Sequence, residues 1–499
     1  MAADTRKIEL CHKLAYFLES SVKRGNGWKE IKDILEKLKT WTRNRDNRVK
    51  VEVSDVKLAS SVLSRSLLVI KAYQGAGDDL ENPCLSSTTE AFRFLRNTAA
   101  EVPENQIMIM DCGIVDQVLE IITALLKPKY QESTKEDGQF VGDSIKSGLQ
   151  MIGNLVVKNN KTQEHIWKKC FPSFFMELFS LACYQAQEAV CMVIFNCMSE
   201  QTRAQLVDSH EGNKVLSYVL HLCADHKDLD WGYFIFDELQ KNGQMPDLYR
   251  GLVFDPGARI ILLDLIGAQL SEGANPKMMS GLDGMANISA AGFSEESLLF
   301  LSREFEENCN ICIFQEHKED SEAEHILDAL VISRLLRLLC TVSGLHSSPL
   351  QDRPALLHAT IELLHETNKE ENREAFCRTS HVPQGADSGD LSPSHGFKRD
   401  LVRLVGNLCY RHRVNQDKTR ELDGLPLILD HCNVDDYNPY ICQWAVFALR
   451  NLLENNQANQ QLIASLDNRG LASSDRIREF GVTVTETPDG TIRIAPLKE

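Results

Sequence analysis

One turn of helix recurs along this chain: an apolar residue, an aliphatic residue, any residue, then asparagine. It stands at Phe94-Leu95-Arg96-Asn97, Met151-Ile152-Gly153-Asn154, Val193-Ile194-Phe195-Asn196, Leu404-Val405-Gly406-Asn407 and Ala448-Leu449-Arg450-Asn451. The pairs Asn97/Asn154, Asn154/Asn196 and Asn407/Asn451 are 57, 42 and 44 residues apart. Such a unit is too small to bury its apolar face alone, so copies of it must stack. That requirement narrows the chain to a stack of helices with long exposed surfaces.

Periods in the low forties are those of armadillo and HEAT repeats, two- or three-helix units. Eight residues after three of the asparagines comes another: Asn105, Asn415 and Asn459. A short linker and a new helix start follow, as at Gly113-Ile114-Val115 or Gly424-Leu425-Pro426, where proline suits the first helical turn. In the second repeat Phe171-Pro172 takes that place. The expected fold class is all-α: an armadillo/HEAT-like helical solenoid with a short C-terminal β-hairpin. The hairpin rests on alternation over Phe480–Thr485 and Thr491–Ile494, with turn chemistry at Thr487-Pro488-Asp489-Gly490. Because an isolated hairpin is marginal in water, it is expected to fold back and cap the last helices.

The expected organisation is a helical cap over 1–75, repeats over 76–345, a helix plus flexible linker over 346–396, further repeats over 397–470, and the hairpin tail over 471–499. Within the linker, Thr379–Ser394 is rich in Gly, Ser, Pro and Asp. It carries a candidate phosphorylation site at Ser392, which precedes Pro393. The repeats cannot be phased between residues 225 and 396.

Net charge is −17 over 499 residues, which argues against a general nucleic-acid binder. Positive charge gathers from Val22 to Lys50, where ten Lys/Arg face four acids. There Ile31, Ile34, Leu35, Leu38 and Trp41 keep helical spacing, as for a capping helix with a solvated basic face. The start lacks the apolar stretch of a signal peptide. No run is long enough to span a bilayer, so no membrane insertion is expected. Fifteen dispersed cysteines fit reduced, buried thiols in a cytoplasmic protein.

Motifs for chemistry are missing. Cys309, Cys312 and His317 supply three zinc donors and no fourth. Cys409 and His412 are a helical turn apart, but no orienting acid completes a nucleophile. Phosphate-cradling glycine loops, Gly-x-Ser-x-Gly and His-Glu-x-x-His are absent. No catalytic residue, cofactor or metal is therefore assigned. The alternative kept open is a Cys- or metal-dependent hydrolase in the unphased middle.

The ladder itself admits two readings. Each asparagine either closes its turn or ties neighbouring repeats together, or the ladder lines a groove. In the groove reading, Asn97, Asn154, Asn196, Asn407 and Asn451 bond an extended partner peptide, since an amide both donates and accepts. Arg96 and Arg450, each next to a ladder asparagine, would add charge contacts.

The C-terminal block resembles the ataxin-10 (spinocerebellar ataxia type 10) family. The resemblance is carried by Phe397–Tyr410, Asn415-Gln416-Asp417, Asp430–Tyr440 and Trp444–Gln457. It implies an armadillo-like fold, no catalysis and self-association as a homo-oligomer. It further implies an adaptor role in neuronal survival, neurite outgrowth through Ras–MAP kinase signalling, and cytokinesis. The partners it implies are a G-protein β subunit, O-linked N-acetylglucosamine transferase and a ciliary IQ-motif protein. The locations are cytoplasmic and perinuclear, with the centrosome, cilium basal body and midbody. The importin-type Trp-x-x-x-Asn groove motif is not met, since Trp444 stands seven residues before Asn451.

Overall fold

A computed structural model describes residues 2–20, 27–73, 82–131, 135–181, 183–273, 294–312, 322–344, 349–369, 395–433, 435, 437–466, 482–486 and 492–496. The chain forms two compact units, Met1–Leu301 and Ser302–Glu499. In the first, helices Ala2–Ser20, Trp28–Trp41, Arg45–Arg48 and Val53–Ala72 precede the repeats. Sets of three then follow. They are Asn82–Ala99, Pro103–Asp111 and Ile114–Leu125; Lys135–Leu155, Asn160–Cys170 and Ser173–Phe179; Tyr184–Asn196, Glu200–Asp208 and His210–Asp225; Asp230–Lys241, Met245–Gly251 and Pro256–Gly273. The last set lies in the stretch whose phase the sequence leaves open.

The first helix of each of the first three sets carries the recurring asparagine in its last turn and packs on the first helix of the next set. Trp28–Trp41 joins this row, burying Ile31, Ile34, Leu35 and Leu38, and packs against Asn82–Ala99. Beyond the helix end the chain reverses within a few residues, by one recurring device. The fourth residue after the asparagine has a left-handed backbone: Glu101 (φ 60°), Lys158 (φ 54°), Arg411 (φ 53°) and Asn455 (φ 55°). Only asparagine among these tolerates that region well. Second helices start on conventional caps. Ser199 accepts from the Thr202 N–H and Asn456 from the Asn459 N–H, while Pro103 opens its own helix.

The second unit contains Glu322–Ser343, Pro354–Asn368, Phe397–Leu408, Arg413–Glu421, Gly424–Asp430, Ile441–Leu453 and Gln457–Ser465. Phe397, Leu401, Leu404 and Val405 are buried between neighbours. The closest approach is at Gly406, where a Cβ would come within 3.0 Å of the Ala448 Cα and Cβ. Glycine there lets the ladder helices touch.

The expected fold class requires correction at its last member: among the described residues the solenoid is all-helical, and a C-terminal β-hairpin is not part of it. Val482–Glu486 and Ile492–Pro496 run antiparallel, with Val484 opposite Ile494. They form a two-stranded ribbon, and its side chains and turn lie outside the described residues. Physically, five-residue strands that alternate valine or isoleucine with threonine and arginine offer little apolar area. That is too little to close the end of a helical stack. Among the described helices the stack ends at Ser465.

Candidate partner-binding surface

Each ladder asparagine sits where its helix runs out of backbone donors, since the last four carbonyls of a helix have no intrahelical partner. The asparagine amide of one repeat supplies a donor to the repeat before it. Asn154 Nδ2 donates to Arg96 O (3.2 Å), Asn196 to Gly153 O (3.4 Å) and Asn451 to Gly406 O (2.9 Å). The acceptor in each case is the residue immediately before the preceding ladder asparagine. The same rule places Asn97 on Lys39 O (3.1 Å) and Asn407 on Cys340 O (3.1 Å). Thr40 and Thr341 therefore stand at ladder positions, which places Trp28–Trp41 and Glu322–Ser343 in the repeat series.

A second set of amides, unnoticed in the sequence, points the other way. Gln106 Nε2 donates to Asn154 O (3.0 Å), Gln163 to Asn196 O (2.8 Å), Gln351 to Asn407 O (3.3 Å) and Gln416 to Asn451 O (2.9 Å). Four of these five junctions thus have one rung reaching back and one reaching forward. Asn105, Asn415 and Asn459 bond inside their own repeats, to Thr98 O, Leu408 O and Leu452 O. Each also reaches one repeat back, to Arg48 O, Gln351 O and Gln416 O. Thr162 replaces that asparagine in the second set, donating to Leu155 O (2.7 Å). The visible signal was the dipeptide Asn-Gln at 105, 415 and 459.

Of the asparagines expected to line a peptide groove, Asn97, Asn154, Asn196, Asn407 and Asn451 all have their Nδ2 groups engaged by helix-end carbonyls. Asn407 and Asn451 are also buried, 7% and 2% exposed. Arg96 is half-buried and donates to Gln150 Oε1 (2.6 Å). Arg450 is exposed, and its guanidinium has no partner among the described residues. Ser392 lies outside the described residues.

Cys409 and His412 do not form a pair. Cys409 Sγ lies 3.3 Å from Thr419 Oγ1, and His412 Nδ1 accepts from the Asn415 N–H. Burial pushes the Cys170, Cys223 and Cys409 thiols up to about 12 and Cys309 to about 11. It holds Cys191, Cys197 and Cys340 well above the ordinary thiol range. A thiol held protonated is a poor nucleophile and a poor metal ligand. Cys309 is buried, with its thiol directed at Glu306 O; the Cys312 side chain and His317 lie outside the described residues.

Two surfaces next to the ladder are open. In the first unit, Gln163, Trp167, Phe171, Gln201 and Gln205 line a cleft of about 510 Å³ between second helices. Trp167 Nε1 donates across it to Gln205 Oε1 (2.6 Å). In the second unit, the last ladder helix exposes Val446 (57%) and Phe447 (37%). Beside them the Arg403 guanidinium lies over the Trp444 ring, 4.8 Å from its centroid.

Comparison with known proteins gives one consistent answer. A family model described as "Spinocerebellar ataxia type 10 protein domain" matches residues 397–495. Ataxin-10 of Xenopus tropicalis is 30% identical over 507 residues, covering 100% of this chain and 99% of that one. Human ataxin-10 is 29% identical over 407 residues, 80% of each chain. The ataxin-10 homolog of Dictyostelium discoideum is 49% identical over 118 residues, 23% of this chain and 19% of that one.

Proposed function

The chain belongs to the ataxin-10 family, and on that premise we propose that it is a non-enzymatic adaptor that binds other proteins and copies of itself. In this reading it supports neuronal survival, neurite outgrowth through Ras–MAP kinase signalling, and cytokinesis. Its partners are a G-protein β subunit, O-linked N-acetylglucosamine transferase and a ciliary IQ-motif protein. Its places of work are the cytoplasm, centrosome, cilium basal body and midbody.

The observation that carries the reading is the full-length match to the Xenopus tropicalis protein, which spans both units. Two features of the molecule favour binding over catalysis. Its ladder asparagines and glutamines are used in repeat-to-repeat bonds, and burial raises the pKa of its described buried thiols.

The test is replacement. Cells depleted of their own ataxin-10 receive this chain, and neurite length is read in neurons and binucleation in dividing cells. Restoration of both supports the reading. A folded, expressed chain that restores neither overturns it.

A further inference from the structure

We propose that the first unit carries a binding stripe across its ladder helices, and that the stripe takes an extended peptide acidic at one end and apolar at the other. The proposal rests on the adaptor reading and names the chemistry of one partner. The basic helix Trp28–Trp41 does not stand alone. It packs against Asn82–Ala99, and the row continues through Lys135–Leu155, Tyr184–Asn196 and Asp230–Lys241. Lys39, Arg96, Gly153 and Phe195 each stand one residue before a ladder position. Contacts from these places to the next helix make one continuous face. Lys39 Nζ pairs with Glu90 Oε2 (2.5 Å), Arg96 Nη1 donates to Gln150 Oε1 (2.6 Å), and a Cβ at Gly153 would come within 2.2 Å of Met192 Cε. Phe195 meets Trp231 and Phe234, with ring centroids 5.7 and 5.8 Å away.

The stripe changes character along its length. On the first two helices it holds Lys32, Lys39, Arg93 and Arg96 against Glu36 and Glu90. Glu90 is buried, and Lys39 and Arg93 share its one carboxylate, Arg93 Nη1 donating to Oε1 at 2.7 Å. Arg96 has a neutral amide for its side-chain partner. Burial, and then the charge of Arg93, hold it below the ordinary guanidinium range. Lys146, on the third helix, has no ion pair or hydrogen bond among the described residues, and Asp143 stands one turn before it. From the fourth helix onward the stripe is apolar. Met192, Phe195 and Trp231 are half-buried, and Phe234 is 44% exposed. There the cations are already matched, Lys241 to Asp237 (2.6 Å) and Arg203 to Glu238 (3.4 Å).

Cations in excess of acids, in a chain of net charge −17, call for acidic side chains. Exposed rings at the other end call for an aliphatic or aromatic anchor. A nucleic acid fits poorly. Its evenly charged backbone would bring phosphates to the apolar half, where Glu188, two turns before Phe195, adds a further acid. A peptide confines its charge to one end. Arg96 and Phe195 lie two helices apart in the row. At roughly 8–10 Å per helix pair that is roughly 20 Å, or about six residues of extended chain. The ladder asparagines take no part in this contact, since their amides hold the seams.

The probe is a fluorescein-labelled synthetic peptide of three glutamates, a serine–glycine spacer of about six residues and a Leu-Phe-Leu end. It is titrated with the full-length chain and read by anisotropy. We expect saturable binding that weakens about fivefold for Lys146→Glu and about tenfold for Phe234→Ala. Lys146→Arg and Phe234→Tyr should bind like the parent, which sets loss of contact apart from loss of fold. Replacing the glutamates by glutamines should weaken binding at least as much. So should cutting the spacer to about two residues, because the short form cannot engage both ends together. Absence of saturable binding overturns the proposal, as does binding equally tight to Lys146→Glu and Phe234→Ala. Displacement of the peptide by single-stranded polyuridylate, or loss of self-association in these two variants, also overturns it, since the stripe then serves a nucleic acid or a second copy. A chain that fails this test yet restores neurite length and cell division leaves the adaptor reading standing.

Discussion

Replacing Asn407 and Asn451 together by alanine separates a seam from a groove. In the structure, Asn451 Nδ2 donates to Gly406 O at 2.9 Å, and Asn407 Nδ2 donates to Cys340 O and Ser343 Oγ, both at 3.1 Å. Alanine removes each donor and leaves a helix-end carbonyl facing a small buried void. The cost of an unsatisfied buried polar group is about 1–3 kcal/mol. The two sites act on adjacent residues, Gly406 and Asn407, so the costs do not simply add. A combined loss of about 2–5 kcal/mol is expected, a large part of a typical stability of about 5–15 kcal/mol. The melting transition of the second unit should fall by roughly 5–15 °C.

The assay is urea and thermal unfolding of the full chain labelled with fluorotryptophan. Trp444 is the one tryptophan after residue 301, so its resonance follows the second unit separately. Partner capture and self-association are then measured below the lowered transition. Both should match the unaltered chain. A double variant that melts like the parent yet loses binding refutes the seam and restores the groove.

Three further outcomes are expected. Lys158→Gly should stabilise the chain by about 0.5–1 kcal/mol, because it relieves a left-handed lysine on an exposed turn; a loss of stability counts against strain there. Burial acts to raise the Asp255 carboxyl. Hydrogen bonds from Ser217 Oγ, the Ala258 N–H and His221 outweigh that and hold it below its usual 3.8. A depressed folded value means that its stabilisation is present above the unfolded value and lost as pH falls through the folded one. Asp255→Asn should therefore weaken the acid dependence of unfolding below about pH 4, and an unchanged acid limb contradicts this. Finally, Cys409, buried and raised to about 12, should resist thiol reagents at pH 8 until the chain unfolds. Rapid labelling of Cys409 in the native chain would reopen the hydrolase alternative.

The repeat was legible because a single residue type, asparagine, marks one place in each unit at helical register. Its partner was not. An amide donor serves a peptide in a groove and a carbonyl in a neighbouring helix equally well, and only the 2.9–3.4 Å contacts to helix ends decide between them. Thr40 and Thr341 escaped notice because they occupy the ladder place without an amide, and in the case of Thr341 this left the phase of the middle hidden. The recurring left-handed turn escaped for a similar reason: Glu101, Lys158 and Arg411 fill a conformation usually signalled by glycine. The terminal alternation was readable as strands. It says nothing about packing, and there the expected cap failed.

The two sets of amides also explain how the stack keeps its register. Apolar faces of neighbouring helices fit nearly as well after a slip of one turn, because dispersion and burial are not directional. A carbonyl at a helix end accepts only from a donor aimed at it, and a slip would leave it unsatisfied inside the protein. Where both are present, asparagine reaching back and glutamine reaching forward fix one helix against the next at two helix-end carbonyls. The final repeat follows the same pattern on its inner side. Asn451 has work to do there, since it secures Gly406. Among the described residues Gln460 has no following repeat to secure and bonds its own repeat at Leu453 O, yet it keeps the place of Gln106, Gln163 and Gln416.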